Sequence, residues 1–158
     1  MPPTSLMDLD SLDLERVVTT RDEIYTRLPH RHEFQLLDGL VFRNNEAASA
    51  VAFVDVRDDG FWVRGHLPGR PLFPGVLMIE AAGQLAAYMA GEVKGYAGKF
   101  IGLGGVEKAK FRDTVVPNSR MYIVMVPTEI RPRRIICACQ GLVNGRMVFE
   151  AEICGMAF

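Results

Sequence analysis

One apolar segment, Val76 to Ala90, constrains the fold of this chain more than any other stretch. Only two of its side chains, Glu80 and Gln84, are strongly polar, and a helix that is apolar on every side belongs in a protein core. The segment would form a helix roughly 22 Å long. It is too short to cross a membrane, because a crossing needs ~20 apolar residues. Pro74 suits the opening of a helix, because the first turn does not require its missing amide donor. The sequence therefore predicts a proline-rich turn followed by a central core helix.

The two polar residues of this helix are four positions apart, so Glu80 and Gln84 share one face and can touch. A buried carboxylate without a partner costs several kcal/mol. The Glu80 side chain must therefore be protonated, hydrogen-bonded or facing a wet cavity. Both catalytic use and purely structural burial against Gln84 fit this pattern.

His66 lies before the proline-rich turn and could return to face the helix from a neighbouring strand. Histidine titrates near neutral pH and can act as a base, and a carboxyl group whose pKa is raised by burial can serve as the acid. Free backbone amides at Gly75 and Val76, where the helix starts, could bind a carbonyl oxygen that gains negative charge. Together these groups indicate proton removal next to a carbonyl, followed by loss of a leaving group.

The order of these residues resembles the signature of the 3-hydroxyacyl-acyl carrier protein dehydratases of fatty-acid synthesis, the FabZ type. The matching positions are His66, Pro68, Pro71, Pro74, Gly75, Glu80 and Gln84. The fourteen-residue step from His66 to Glu80 agrees with the family's spacing from catalytic histidine to catalytic acid. The acid is Glu rather than the Asp of the related dehydratase/isomerase branch, which favours plain dehydration.

The resemblance extends from about Leu28 to Glu152. The segment that starts Leu-Pro-His-Arg at Leu28, the strand from Val106 to Arg112 and the dipeptide Val116-Pro117 are similar to the family's pattern. Two departures affect turns: Glu33 stands where the family commonly has proline, and Asn118-Ser119 replaces a Gly-Asp pair.

This resemblance implies an α+β hotdog fold, in which an antiparallel sheet wraps around a long central helix. It also implies dehydration of (3R)-3-hydroxyacyl-acyl carrier protein to trans-2-enoyl-acyl carrier protein, with no cofactor. His66 would remove the proton next to the thioester and Glu80 would protonate the departing hydroxyl. The Gly75 amide, beside that of Val76, would hold the thioester oxygen, and Gln84 would orient Glu80.

The implied partners are an acyl carrier protein and further copies of the chain. The carrier protein of this family is acidic, so Arg131, Arg133 and Arg134 could dock it, although a solvated charge run explains these residues equally well. The family also implies a homodimer in which each site takes its histidine from one subunit and its acid from the other, and a hexamer built as a trimer of dimers is compatible with it. An exposed sheet edge is best covered by such pairing.

Two alternatives to the dehydratase belong to other functional classes. A hotdog acyl thioesterase would also carry a helical carboxyl group, but it would leave the His-x-Pro turn unexplained. A non-catalytic acyl-binding subunit would be expected to lack His66 or Glu80. A metal site is disfavoured because His30 and His32 have no third ligand nearby in sequence, and structural hydrogen bonding is the preferred interpretation of both.

The remaining features predict one cytoplasmic domain over residues 1–158, with residues 1–19 as a loose arm. The acidic start of the chain is unlike a secretory signal, and a formal charge of -1 gives no bias towards nucleic acid or membranes. Thr20 and Glu23 form a capping box for a short helix. Five or six antiparallel strands follow from the apolar runs, placed at 36–42, 47–56, 61–64, 121–127, 134–143 and 146–156. Asn144-Gly145 predicts a tight hairpin between the last two.

Overall fold

The computed structural model describes residues 3–158, and the elements of this part of the chain form one sheet around one long helix. The helices are α1 (Arg21–Arg27) and α2 (Gly75–Ala90). The strands are β1 (Thr19–Thr20), β2 (Gly39–Asn44), β3 (Ser49–Val56), β4 (Ile101–Phe111), β5 (Ser119–Arg131), β6 (Arg134–Val143) and β7 (Arg146–Ala157). All neighbours pair antiparallel, in the order β1-β2-β3-β5-β6-β7-β4. The predicted α+β architecture is confirmed, with seven strands instead of five or six.

Helix α2 lies against the inner face of the sheet, and small side chains allow this close packing. Ala81, Ala82 and Leu85 are fully buried, and they share one core cluster with strand residues such as Ile123 and Phe149. Burial of a large apolar side chain such as Phe149 stabilises the fold by about 1.5–3 kcal/mol. The sheet and helix therefore form a single core.

One face of α2 is not covered by any part of residues 3–158, which corrects the prediction of a helix buried on every side. Val76 is 71% exposed, and Ile79, Glu80, Gly83 and Ala87 follow on the same side with partial exposure. These residues recur at the spacing of one helical stripe. Sequence composition could not reveal this stripe, because its residues are as apolar as those of the buried face.

The predicted start of α1 is confirmed. The hydroxyl oxygen of Thr20 accepts from the Glu23 amide at 3.3 Å, and the Glu23 carboxylate accepts from the Thr20 amide at 2.6 Å. These reciprocal bonds satisfy two amides that have no partner within the helix. The helix ends before Pro29, and the Leu28 amide bonds back to Ile24 at 3.2 Å.

The segment that carries His66 consists of turns, so the predicted strand at 61–64 is wrong. The amide of Val63 donates to Gly60 at 3.0 Å, and the amide of His66 donates to Trp62 at 2.8 Å. Backbone amides used in such local bonds cannot pair with a strand. The Trp62 ring is buried and packs edge-on against Phe73, with 5.4 Å between centroids. Trp62 therefore anchors the loop by packing.

The closing hairpin of the chain has the predicted turn. Asn144 and Gly145 adopt φ angles of 50° and 76°, the left-handed region that a two-residue hairpin turn requires. In β7 the residues Phe149, Ala151 and Ile153 alternate with partly exposed neighbours and face the core. Strand β7 therefore presents one face to the core.

The N-terminal segment packs on the outer face of the sheet, which corrects the expectation of a loose arm; Met1 and Pro2 lie outside the described residues. The Gln140 side chain accepts from the Leu6 amide and donates to the Thr4 carbonyl, both at 2.8 Å. Apolar side chains of the arm pack against an outer cluster of the sheet: Leu6, Met7, Leu9, Leu12 and Leu14 meet Val41, Val51, Phe53, Val124 and Leu142. The leucines contact the sheet while the intervening acidic residues face solvent.

Candidate active site

The candidate site is built around Glu80, on the uncovered stripe of α2. Its side chain is 31% exposed, whereas Gln84 one turn later is buried. The Gln84 Nε2 donates to Glu80 Oε1 at 2.9 Å and to the Phe34 carbonyl at 2.8 Å. The contact expected from the four-residue spacing is present, and it leaves the carboxyl group facing outward.

A tyrosine that the sequence did not single out holds the other end of the Gln84 amide. The Tyr25 hydroxyl donates to Gln84 Oε1 at 2.6 Å and accepts from the Leu37 amide at 2.8 Å. Burial raises the pKa of Tyr25 well above its usual value, so the hydroxyl stays protonated. The spacing of residues in the sequence did not predict this contact, because Tyr25 and Gln84 are 59 residues apart. The general rule that a buried tyrosine hydroxyl needs a partner is the only hint available.

His30 is a second residue that the structure adds to the site. Its Nε2 lies 3.4 Å from Glu80 Oε1. Its Nδ1 is buried and has no hydrogen-bond partner among residues 3–158. The structural hydrogen bonding expected for this ring is therefore not found in the described chain. His32, its predicted companion, is exposed, and residues 3–158 contain no group of three side chains suited to a metal ion.

An apolar cavity of about 80 Å³ lies beside Glu80. Its lining includes Ile79, Gly83, Ala87, Leu103 and Cys154. An open groove of about 840 Å³ adjoins it. The two share His30, Ala87, Ile101, Gly102 and Leu103 as lining residues. Apolar walls beside one carboxyl group are suited to a ligand with a hydrocarbon chain and a single polar reacting centre.

A backbone carbonyl group orients the His66 ring so that it can act as a base. Its Nδ1 lies 2.9 Å from the Leu72 carbonyl, which can only accept, so Nδ1 carries the hydrogen and Nε2 of the neutral ring has a free lone pair. No hydrogen bond or ion pair joins His66 to Glu80 within residues 3–158, and His66 does not line the cavity. One chain therefore does not bring the two predicted catalytic side chains together.

The start of α2 offers two backbone donors. Within the described chain, the amides of Gly75 and Val76 have no hydrogen-bond partner, as expected for a first helical turn. A side chain at Gly75 would place its Cβ 2.8 Å from the ring of the half-exposed Phe111, so any larger residue would displace that ring. The preceding loop is tied down by the Phe73 amide, which donates to Val115 at 2.7 Å. These donors lie about 6–7.5 Å from Glu80 along the helix axis.

Comparison with known proteins shows the family to which this chain belongs. The model of the FabA-like domain matches residues 28–152, which include the helix, the cavity and both predicted catalytic residues. The chain belongs to the FabA-like family. The match begins and ends at the residues between which the resemblance was recognised.

Sequence relatives place the chain close to one branch of this family. It is 35% identical over 132 residues to the 3-hydroxyacyl-[acyl-carrier-protein] dehydratase FabZ of Clostridium botulinum (strain Loch Maree), covering 84% of this chain and 91% of the relative. It is 33% identical over 135 residues to the FabZ protein of Agrobacterium fabrum, covering 85% and 86%. The predicted family, the FabZ-type dehydratases, is confirmed.

Solved structures of other proteins share the fold of this chain. The dehydratase heterocomplex ApeI:P from Xenorhabdus doucetiae aligns with a TM-score of 0.70 and 15% identity, over 90% of this chain and 93% of the other. A hypothetical thioesterase from Streptococcus pneumoniae, solved with coenzyme A, aligns with a TM-score of 0.59 and 9% identity, over 75% and 84%. At such low identity these structures show the fold alone. The predicted hotdog fold is confirmed.

The cationic residues that the sequence suggested for docking are partly neutralised in this FabA-like chain. Arg131 and Arg134 both donate to Glu129, at 2.9 and 3.0 Å. The hydrogen bond from Arg131 lowers the pKa of Glu129. The Glu129 carboxylate is therefore ionised and offsets part of the positive charge of Arg131 and Arg134. Arg133 is exposed and forms no ion pair with the described residues.

The cysteines and helices complete the description of the chain. All three cysteines are unpaired, and burial raises the pKa of Cys137 to about 12, which makes it an unreactive thiol at neutral pH. No helix within residues 3–158 is both long and apolar enough to cross a bilayer.

Proposed function

We propose that this protein dehydrates (3R)-3-hydroxyacyl-acyl carrier protein to trans-2-enoyl-acyl carrier protein in fatty-acid synthesis. The observation that carries the proposal is the Glu80 carboxyl group, which lies on a core helix against an apolar cavity and is held by Gln84. The FabZ relatives, named for this activity, are similar over most of the chain.

In the proposed mechanism, His66 Nε2 removes the proton from the carbon next to the thioester. The electron pair of that C–H bond forms the new double bond, the C–O bond at the third carbon breaks, and Glu80 protonates the departing hydroxyl so that it leaves as water. The Gly75 amide donates to the thioester oxygen while negative charge develops there, with the Val76 amide beside it. Only a proton donor and a proton acceptor are needed, so we expect turnover without added metal or nucleotide.

We further propose that each active site is shared by two subunits of a homodimer. Among residues 3–158, strand β4 is an edge of the sheet that pairs only with β7. Its Leu103 and Phe111 are 58% and 51% exposed, and an edge of eleven residues with apolar side chains favours pairing with another chain. A second copy at this edge would cover the α2 stripe and could bring its His66 to the Glu80 of the first. A hexamer of three such dimers is compatible with this arrangement.

The proposed partner is an acidic acyl carrier protein in the cytoplasm. Its prosthetic arm would deliver the thioester to the cavity, and exposed cations would attract the carrier. Arg133 is the member of the basic run whose charge no described carboxylate offsets, so it is the best candidate of the three for docking.

The proposed function is tested with purified protein and trans-2-enoyl thioesters on acyl carrier protein and on coenzyme A. We expect hydration to the 3-hydroxyacyl product, and faster turnover with the carrier-bound substrate. Mass spectrometry of the thioester distinguishes the outcomes. Release of free thiol without a hydroxyacyl product would show a thioesterase instead, and binding without any conversion would show an acyl-binding subunit.

A further inference from the structure

The orientation of the Gln84 amide is determined by a chain of hydrogen bonds that begins at a backbone group. The Leu37 amide donates to the Tyr25 hydroxyl at 2.8 Å. A backbone amide has no acceptor capacity, so the hydroxyl hydrogen of Tyr25 must point elsewhere. It points to Gln84 Oε1, 2.6 Å away. The NH₂ group of Gln84 is thereby turned towards Glu80 and the Phe34 carbonyl.

We infer that Tyr25 is a positioning residue that determines which oxygen of Glu80 carries the catalytic proton. Glu80 Oε1 accepts from Gln84 and lies 3.4 Å from His30 Nε2. An oxygen that already accepts from an NH₂ group is a poor place for a proton. Oε2 has no hydrogen-bond partner among residues 3–158, so it carries the proton that is delivered to the substrate hydroxyl.

The opposite orientation of the amide would work against catalysis. If Gln84 turned its Oε1 towards Glu80, that oxygen would accept the acid's proton and direct it away from the substrate. Without the Tyr25 hydroxyl, the Phe34 carbonyl alone would favour the productive orientation of Gln84, so a larger part of the enzyme would hold its proton on the wrong side. This inference rests on the proposed dehydratase function.

The test is a double-mutant cycle of Tyr25→Phe and Gln84→Met, with dehydration measured in the full-length protein. We expect Tyr25→Phe to lower kcat at least fivefold and to leave KM within about twofold. In the Gln84→Met background, Tyr25→Phe should have no further effect on kcat, because Tyr25 acts through Gln84. The control Tyr122→Phe, on the outer face of the sheet, should keep wild-type kcat.

A second measurement keeps the inference testable if Gln84→Met does not fold. The titratable groups around Glu80 are His30, Cys154 across the cavity, and Tyr25, which is linked to Glu80 by Gln84. In Tyr25→Phe the rotated amide accepts from protonated Glu80, so the alkaline limb of the kcat profile should move to higher pH. Loss of packing alone would lower the unfolding midpoint and leave that limb in place.

Three outcomes are distinguishable. An active wild type with non-additive kcat effects supports the role of Tyr25. An active wild type in which Tyr25→Phe has full kcat, or in which the two substitutions reduce kcat independently, overturns it. A wild type that converts no hydroxyacyl or enoyl thioester refutes the proposed function itself.

Discussion

His30 Nε2 lies 3.4 Å from Glu80 Oε1, so within one chain the histidine in contact with the acid is His30 and not His66. His66 is instead bound to the Leu72 carbonyl through Nδ1. The two histidines thus have separate tasks in the proposed mechanism. His30 holds the acid of its own subunit, while the free Nε2 of His66 serves as a base for the site of a second copy.

Replacing His30 with leucine should lower kcat roughly tenfold, because an imidazole N–H facing Glu80 would stabilise the negative charge that develops as the acid gives up its proton by about 1.5 kcal/mol. The protein should remain folded, since the buried Nδ1 has no hydrogen-bond partner among the described residues that the substitution would leave unsatisfied. His32→Asn is the matched control: His32 is exposed and has a φ of 55°, which asparagine tolerates. Steady-state dehydration and thermal unfolding of both variants provide the comparison. Equal kcat for the two variants would show that His30 does not contribute to the active site.

Glu80→Gln should reduce kcat by about a hundredfold to ten-thousandfold while the fold is retained. Glutamine keeps the size of the side chain and can still accept from Gln84 Nε2 through its own carbonyl, but it has no acidic proton to deliver. Circular dichroism and kcat on a carrier-bound hydroxyacyl substrate test both parts. Turnover within a few-fold of wild type would make Glu80 a structural residue.

Mixing His66→Ala subunits with Glu80→Gln subunits should restore activity. In a mixed dimer one site would carry both defects, and the other would combine an intact His66 with an intact Glu80. Random exchange makes half of the dimers mixed, so we expect about a quarter of wild-type activity per subunit. Different affinity tags on the two variants show whether mixed dimers form. Tagged mixed dimers that stay inactive would contradict a shared site.

Glu92→Gln should destabilise the fold at neutral pH and have little effect in acid. Glu92 accepts from Arg27 at 2.6 Å and from Arg43 at 2.7 Å, and the hydrogen bond from Arg27 lowers its pKa below the usual 4.5. A lowered pKa stabilises the fold above the unfolded-state value, and this contribution is lost as the pH falls through the folded-state value. We expect a loss of about 1–3 kcal/mol at pH 7.

Urea unfolding of Glu92→Gln and wild type between pH 7 and pH 3 measures that difference. Glu46→Gln is the control, because Glu46 is exposed and has no ion pair within residues 3–158. A loss for Glu92→Gln that stays constant across this pH range would show that packing, and not the charge, is responsible.

The double substitution Leu9→Ala with Leu12→Ala should loosen the N-terminal arm from the sheet. Both side chains are partly buried against the outer cluster, and we expect a loss of about 1–3 kcal/mol in the free energy of unfolding. Exposure of the outer face should increase the binding of a hydrophobic dye. Asp10→Ala, at an exposed position between the two leucines, controls for changes in the arm that leave its contacts intact. An unchanged free energy for the double variant would show that the arm contributes no stability.

Local patterns in the sequence determined most of the secondary structure. The capping box at Thr20, the core helix that follows Pro74 and the hairpin at Asn144-Gly145 depend on residues close together in the chain, and each is confirmed. The contact between Glu80 and Gln84 belongs to the same class, because one helical turn brings them together. The order of the residues from His66 to Gln84 was enough to recognise the family.

Only the tertiary structure decided which groups surround Glu80 and which surfaces remain uncovered. Tyr25 and His30 reach α2 across fifty or more positions of sequence, and no local pattern records such a distance. The N-terminal arm was expected to be loose because nothing in its own residues shows that the outer face of the sheet is apolar. The uncovered stripe of α2 was missed for the same reason: whether an apolar side chain is buried depends on what folds against it, and residues next to it in the chain do not determine that.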